Sequence, residues 1–266
     1  MAPDTSSSRS SSSLSGSAAR LVRLCTPVPA PPERACALCH GHLPSGAGAL
    51  CSGCATVSRQ VAACPVVAPV SLYAVGGGLH RVLRGYKDDP LPSVRLSCRR
   101  QLAQLLGGFL ADHGPCVAEA AGRRWDGVAV VPSSAGRPGP HPLGRVVAEA
   151  LGGKGELYEV LAPGPVRPDH RRARRGGFVV SGAVRGARLL LVDDTWTSGA
   201  RAQSAACALR EAGALVAAVV PIGRVGDPGF SPEASADWER WRGRAFDPAD
   251  CCVGGHARAR PSGRVA

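Results

Sequence analysis

Two apolar runs, separated by one helix-length segment, constrain this chain more than anything else in it. Residues 188–192 and 214–220 are strand-like and do not alternate with polar residues. A strand without alternation buries both faces, as strands do inside a parallel sheet. Between the runs, residues 200–212 predict a helix, closed by Gly213 at its C′ position. Strand, loop, helix, glycine and strand make a βαβ crossover. Further strands are expected at 71–75, 126–131 and 157–161. Further helical segments are expected at 79–86, 95–113 and 141–151, the last stopped by Gly152-Gly153. The predicted fold class is α/β, with a parallel-sheet core.

The loop inside that crossover carries the chemistry. Val192-Asp193-Asp194-Thr195-Trp196-Thr197-Ser198-Gly199 sets two adjacent carboxylates directly after a buried strand. In open α/β sheets, ligands sit at the carboxyl ends of the strands. The hydroxyls and backbone amides that follow lead into a helix N-terminus, whose free N–H groups and dipole favour an anion. Gly199 removes a Cβ where backbone would approach a phosphate. The plainer reading is a helix N-cap, for which one Asp or Ser is enough.

A second cluster lies near the N-terminus: Cys36-x2-Cys39-x11-Cys51-x2-Cys54. Two Cys-x-x-Cys knuckles on a short loop can place four thiolates around one point, which suits a tetrahedral zinc ion. Such a segment is too small to build a core, and metal binding would fold it. Two disulfides are the alternative, and they need an oxidising compartment. His40 and His42 stand in the same loop. The other seven cysteines, at 25, 64, 98, 116, 207, 251 and 252, show no matching spacing. Cys207 reads as a small buried hydrophobe.

The acidic stretch 192–199 resembles the phosphoribosyl-pyrophosphate (PRPP) binding motif of type I phosphoribosyltransferases. Together with the four-cysteine knuckle, it makes the chain similar to the ComF/GntX-like family, in which a zinc finger precedes a phosphoribosyltransferase domain. Leu83-Arg84-Gly85-Tyr86-Lys87-Asp88 resembles that family's Lys-Tyr segment. The resemblance covers about residues 33–225. It implies a type I phosphoribosyltransferase core carrying a small N-terminal four-cysteine zinc module that acts as a hood. The implied activity is transfer of the phosphoribosyl group from PRPP to an unidentified acceptor. Asp193 and Asp194 would accept hydrogen bonds from the ribose 2′ and 3′ hydroxyls. Thr195, Trp196, Thr197, Ser198 and Gly199 would cradle the 5′-phosphate. Mg²⁺ would be held mainly by pyrophosphate and ribose oxygens, in keeping with its preference for hard oxygen ligands. Arg137 is the cation of the implied pyrophosphate loop, and Lys87, a lysine retained in an arginine-rich chain, is expected as a compact catalytic point charge beside the acidic pair. Two departures stand out. Arg201 replaces a usual Thr, and the family's Arg-Gly-Phe-Asn stretch is absent from Val131-Pro132-Ser133-Ser134-Ala135-Gly136-Arg137.

Four domains are expected: a disordered Ser/Pro-rich tail at 1–32, a zinc-binding module at 33–66, the phosphoribosyltransferase domain at 67–225 and a poorly ordered C-terminal tail at 226–266. Trp238 and Trp241 are the exceptions in that tail, as residues able to dock. The run from Thr5 to Ser17 is too polar to bury and lacks the apolar core of a secretory signal. No stretch approaches the ~18 apolar residues of a membrane span, so a cytoplasmic protein is expected.

The chain carries a formal charge of +12 over 266 residues, with two lysines, Lys87 and Lys154, against thirty arginines. Such an arginine bias looks like codon pressure, which weakens the charge as evidence of partners. A basic loop, Arg171-Arg172-Ala173-Arg174-Arg175, precedes the acidic motif. By the resemblance it stands where these enzymes carry a mobile loop that closes over pyrophosphate. Contact with nucleic-acid phosphates and contact with solvent alone are the lesser alternatives. Aromatic residues make up only 4% of the chain, which argues against a stacking platform for single strands. Two alternative functions stay open: a non-catalytic PRPP-binding regulator, and a nucleic-acid-binding accessory protein of DNA uptake (competence).

Overall fold

The computed structural model describes residues 21–30, 33–133, 141–169, 171–248 and 250–254. Its elements run α1 (Ser52–Gln60), β1 (Ser71–Ala74), α2 (Gly78–Asp88), α3 (Pro92–Ala120), β2 (Gly127–Val130), α4 (Pro142–Leu151), β3 (Glu156–Tyr158), β4 (Leu161–Pro163), β5 (Phe178–Val180), β6 (Arg188–Trp196), α5 (Ala200–Glu211), β7 (Leu215–Gly226) and α6 (Pro232–Arg242). Five strands form one parallel sheet in the order β1-β7-β6-β2-β3, while β4 and β5 pair antiparallel beside it. The chain is thus mixed α/β with a cysteine cluster near its N-terminus. Among the described residues, no helix is long and apolar enough to cross a membrane.

The lack of alternation in β6 and β7 has the expected origin. Val128, Val130, Leu190, Val192, Ala218 and Val220 enter one core with α2, α3 and α4. Ala129, Val131, Leu189, Leu191, Val216 and Val219 enter a second core with α5 and the cysteine segment. Successive side chains point to opposite faces, and both faces are covered by apolar side chains.

β6 and β7 both run past their expected ends. β6 extends through the acidic pair to Trp196, and β7 through Pro221 to Gly226. Pro221 lacks a donor, yet its carbonyl accepts from Val70 N–H at 3.0 Å, so the sheet continues past it. The single strand expected at 157–161 is divided between β3 and β4.

Two domain expectations are corrected. Residues 21–30, placed in the tail, belong to the fold. Leu21 is buried in the first core, and Thr26 bridges Leu72 on the open edge of β1. The C-terminal stretch from 226 is not poorly ordered throughout. α6 packs Trp238 and Trp241 against Leu72. Its buried Asp237 accepts from His42 Nδ1 at 2.8 Å and pairs with Arg34 and Arg240. Arg244 adds a 2.6 Å pair with Glu33. Charge complementarity to residues 33–45 docks this helix together with its short apolar stripe of Ala234, Trp238 and Trp241. The expected disorder at 5–17 falls outside the described residues.

Candidate functional site

The acidic pair sits at the carboxyl end of β6, the central strand of five. Alternation along the strand sends the two carboxylates to opposite faces. Asp194 meets α2: Tyr86 Oη donates to its Oδ2 at 2.7 Å, and the Lys87 ammonium pairs with the same oxygen. Asp193 Oδ1 accepts the Asp194 backbone N–H at 2.9 Å, and Thr195 Oγ1 donates to Asp194 Oδ1 at 3.3 Å.

α2 reaches the pair for local reasons. Leu79, Val82, Leu83 and Tyr86 form its buried stripe at helical spacing. Gly223, opposite Thr195 in the ladder, leaves the space that Leu83 and Tyr73 enter. A Cβ there would stand 2.7 Å from both side chains. Burying Tyr86 on this stripe turns the next residue, Lys87, over the end of β6.

The two carboxyls are pushed apart. Asp193 is 7% exposed and Asp194 6%. Burial first, and then the charge of Asp194, raises Asp193 to about 8. Burial also opposes ionisation of Asp194, but Lys87 and the Tyr86 hydroxyl outweigh it and hold that carboxyl below its ordinary value. Near neutral pH the pair therefore carries about one negative charge, on Asp194, balanced by Lys87.

Beyond the pair the chain turns into α5. Gly199 is the N-cap residue, at φ 80°, and the Ser198 hydroxyl accepts from Ala200 N–H at 3.3 Å. Gly199 has a second reason to be glycine: a Cβ would collide with the Trp196 ring. Trp196 itself is 1% exposed and packs in the core that holds Cys36 and Cys39. Its side chain supports the turn from beneath. Thr197 is exposed, and Thr195 and Ser198 are half-buried. Arg201 reaches across to donate to the Pro132 carbonyl after β2 and lies over the Phe178 ring, 5.5 Å from its centroid. Arg137, the other expected cation, lies outside the described residues.

Cys36, Cys39, Cys51 and Cys54 converge as their spacing predicts. Their four Sγ atoms lie within 4.8 Å of one another, and Cys39 and Cys51 are 3.8 Å apart. A tetrahedron with ~2.3 Å metal–sulfur bonds has sulfur edges of about 3.8 Å. The group can therefore hold a metal ion. Hydrogen bonds from the other three thiols hold the Cys39 thiol well below its ordinary value.

Sequence reading missed Arg224. It is paired with Trp196 in the β6–β7 ladder, and the nearby cysteine sulfurs raise its pKa against the effect of burial. A Cβ on Gly41 would collide with its guanidinium. A buried cation beside four thiols compensates the negative charge that thiolates bring. The available signal was an arginine continuing an apolar strand. Arg224 and Trp196 place the cysteine module against the turn of the acidic motif, and a Cβ added to Gly53 would stand 3.9 Å from Ser198.

The basic loop is pinned to α1 and α5. Ala173 N–H donates to Gln60 at 2.7 Å, Arg174 N–H to Ser204 at 2.9 Å, and Arg175 pairs with Glu211. Ala173 is buried against Val57, Ala200 and Cys207, while Arg171, Arg172 and Arg174 are exposed. No protein-family model matches this chain, and no curated protein is similar to it.

Proposed function

We propose that this protein is a phosphoribosyltransferase of the ComF/GntX-like kind, which binds PRPP with Mg²⁺ at residues 193–199 and passes the phosphoribosyl group to a small-molecule acceptor. One observation carries the reading. Two adjacent acidic residues lie at the carboxyl end of the central strand of a parallel sheet, and the turn beyond Trp196 opens a helix N-terminus. Carboxylates suit sugar hydroxyls, which donate; amides and hydroxyls suit a phosphate, which accepts. The cysteine cluster fits a structural zinc ion, whose binding would fold residues 33–66 against the same turn.

The ion pair gives Lys87 a defined part in this reading. A ribose hydroxyl donating to Asp194 takes the place of the ammonium, and the released cation is then available to the diphosphate. Breaking the bond between ribose C1 and pyrophosphate builds negative charge on the leaving group and positive character on the sugar. Lys87 would stabilise the first; ionised Asp194 would favour the second. Mg²⁺, when bound, would neutralise diphosphate charge and orient it. With no dedicated base evident, positioning and electrostatics supply the effect.

The test is pyrophosphate release from PRPP and Mg²⁺ across a panel of nucleobases, amines and ammonia. Release by the wild type that is absent from the Asp193→Asn, Asp194→Asn variant supports the enzyme. Thermal stabilisation by PRPP without release across the panel replaces it with a regulator. Neither stabilisation nor release removes the reading. The exposed Arg171, Arg172 and Arg174 favour a second reading, contact with nucleic acid. It predicts DNA binding that survives changes at 193 and 194 and is lost when these arginines are reversed.

A further inference from the structure

A second group of metal-type side chains lies far along the chain from the four-cysteine cluster. His113 and Cys116 stand three residues apart on α3, one turn of the same face. Cys251 comes to them from the C-terminal segment. One ring nitrogen of His113 and the Sγ atoms of Cys116 and Cys251 all lie within 4.8 Å of one another. His113 is buried, and the two cysteines are half-buried.

The histidine is prepared for a ligand. Its Nε2 lies 2.6 Å from the Pro248 carbonyl oxygen, which can only accept, so Nε2 carries the proton. That tautomer leaves the lone pair on Nδ1. Metal-binding histidines are oriented in this way, with the other ring N–H donated to a carbonyl or carboxylate. Phe109 packs on the ring at 5.2 Å between centroids and fixes its plane. The segment that brings Cys251 is itself held down: Cys252 is buried, and Val253 packs on the first core.

We propose that His113, Cys116 and Cys251 form a second metal site, for a zinc-class divalent ion, that fastens the C-terminal segment to α3. One imidazole and two thiolates are borderline-soft donors, which suit zinc and not magnesium or calcium. Three protein ligands leave the fourth tetrahedral position to water or an outside donor. On binding, two metal–sulfur bonds form, and the two thiol protons pass to solvent, so affinity rises with pH. This site does not depend on the proposed phosphoribosyl transfer.

The experiment counts metal. The full chain, loaded with zinc under reducing conditions and freed of loosely held ion, should carry two zinc ions per chain. Cys116→Ser and Cys251→Ser should each carry one, as should Cys39→Ser through loss at the other cluster. Cobalt added to protein holding one zinc should give a thiolate–cobalt charge-transfer band, absent from Cys251→Ser. That variant lies outside the helices and sheet, so it answers the question even where Cys116→Ser fails to fold. One zinc in the wild type and one in Cys251→Ser, with no cobalt band in either, overturns the proposal. A Cys116–Cys251 disulfide in the zinc-loaded protein, found by mass spectrometry, overturns it as well.

Discussion

Replacing Asp193 with asparagine should change how stability responds to pH, and the size of the change follows from the site. In the folded chain, burial and the neighbouring Asp194 charge keep the Asp193 proton up to about pH 8. In the unfolded chain the same carboxyl ionises near about 3.9. Between those values the folded state holds the extra proton. Stability from this group is therefore full below about pH 4 and is lost as pH rises through about 8. Each pH unit in that window is worth about 1.4 kcal/mol, so the loss between pH 5 and pH 8 is about 4 kcal/mol. Asparagine keeps an Oδ1 to accept the Asp194 N–H that now lies 2.9 Å from Asp193 Oδ1, and it does not titrate. Urea unfolding of wild type and Asp193→Asn at half-unit steps from pH 5 to 8 isolates the effect, because other titrating groups cancel in the difference. Asp193→Asn should gain on the wild type by about 4 kcal/mol across the range. Parallel curves for the two proteins would refute the assignment of a retained proton to Asp193.

Three further outcomes follow from the same structure. Lys87→Met strands the buried Asp194 charge and should cost about 3 kcal/mol, with much of it recovered in the Lys87→Met, Asp194→Asn double variant by urea unfolding. Trp238→Ala empties the contact that docks α6 on Leu72 and should cost about 3–4 kcal/mol, exposing residues 227–231 to limited proteolysis. Chelation at neutral pH should lower the thermal midpoint of the wild type by more than that of Cys39→Ser, since the variant has already lost metal-linked stability at that cluster.

The sequence made the centre of the molecule legible and left its margins hidden. Apolar runs without alternation announced β6 and β7, and paired Cys-x-x-Cys spacing announced the convergence of Cys36, Cys39, Cys51 and Cys54. The end of β6 was misread because aspartates are poor strand formers. Here the ladder to β7 and the partners on α2 override that preference. Tyr86 and Lys87 drew attention as neighbours in a motif-like segment, yet only packing shows that both meet Asp194. α6 was lost because its apolar stripe is short: Trp238 and Trp241 dock on Leu72, and beside them the contact is charged, with Asp237 facing His42, nearly two hundred residues earlier in the chain. The packing role of Trp196 was also hidden: nothing in the acidic motif told that its indole fills the space beneath Gly199.

Isothermal calorimetry of PRPP against the folded, zinc-loaded protein in Mg²⁺ tests the central claim most directly. The account predicts saturable heat with one site per chain, abolished in the Asp193→Asn, Asp194→Asn variant. A flat titration of the wild type, on protein whose thermal unfolding is cooperative, would contradict it.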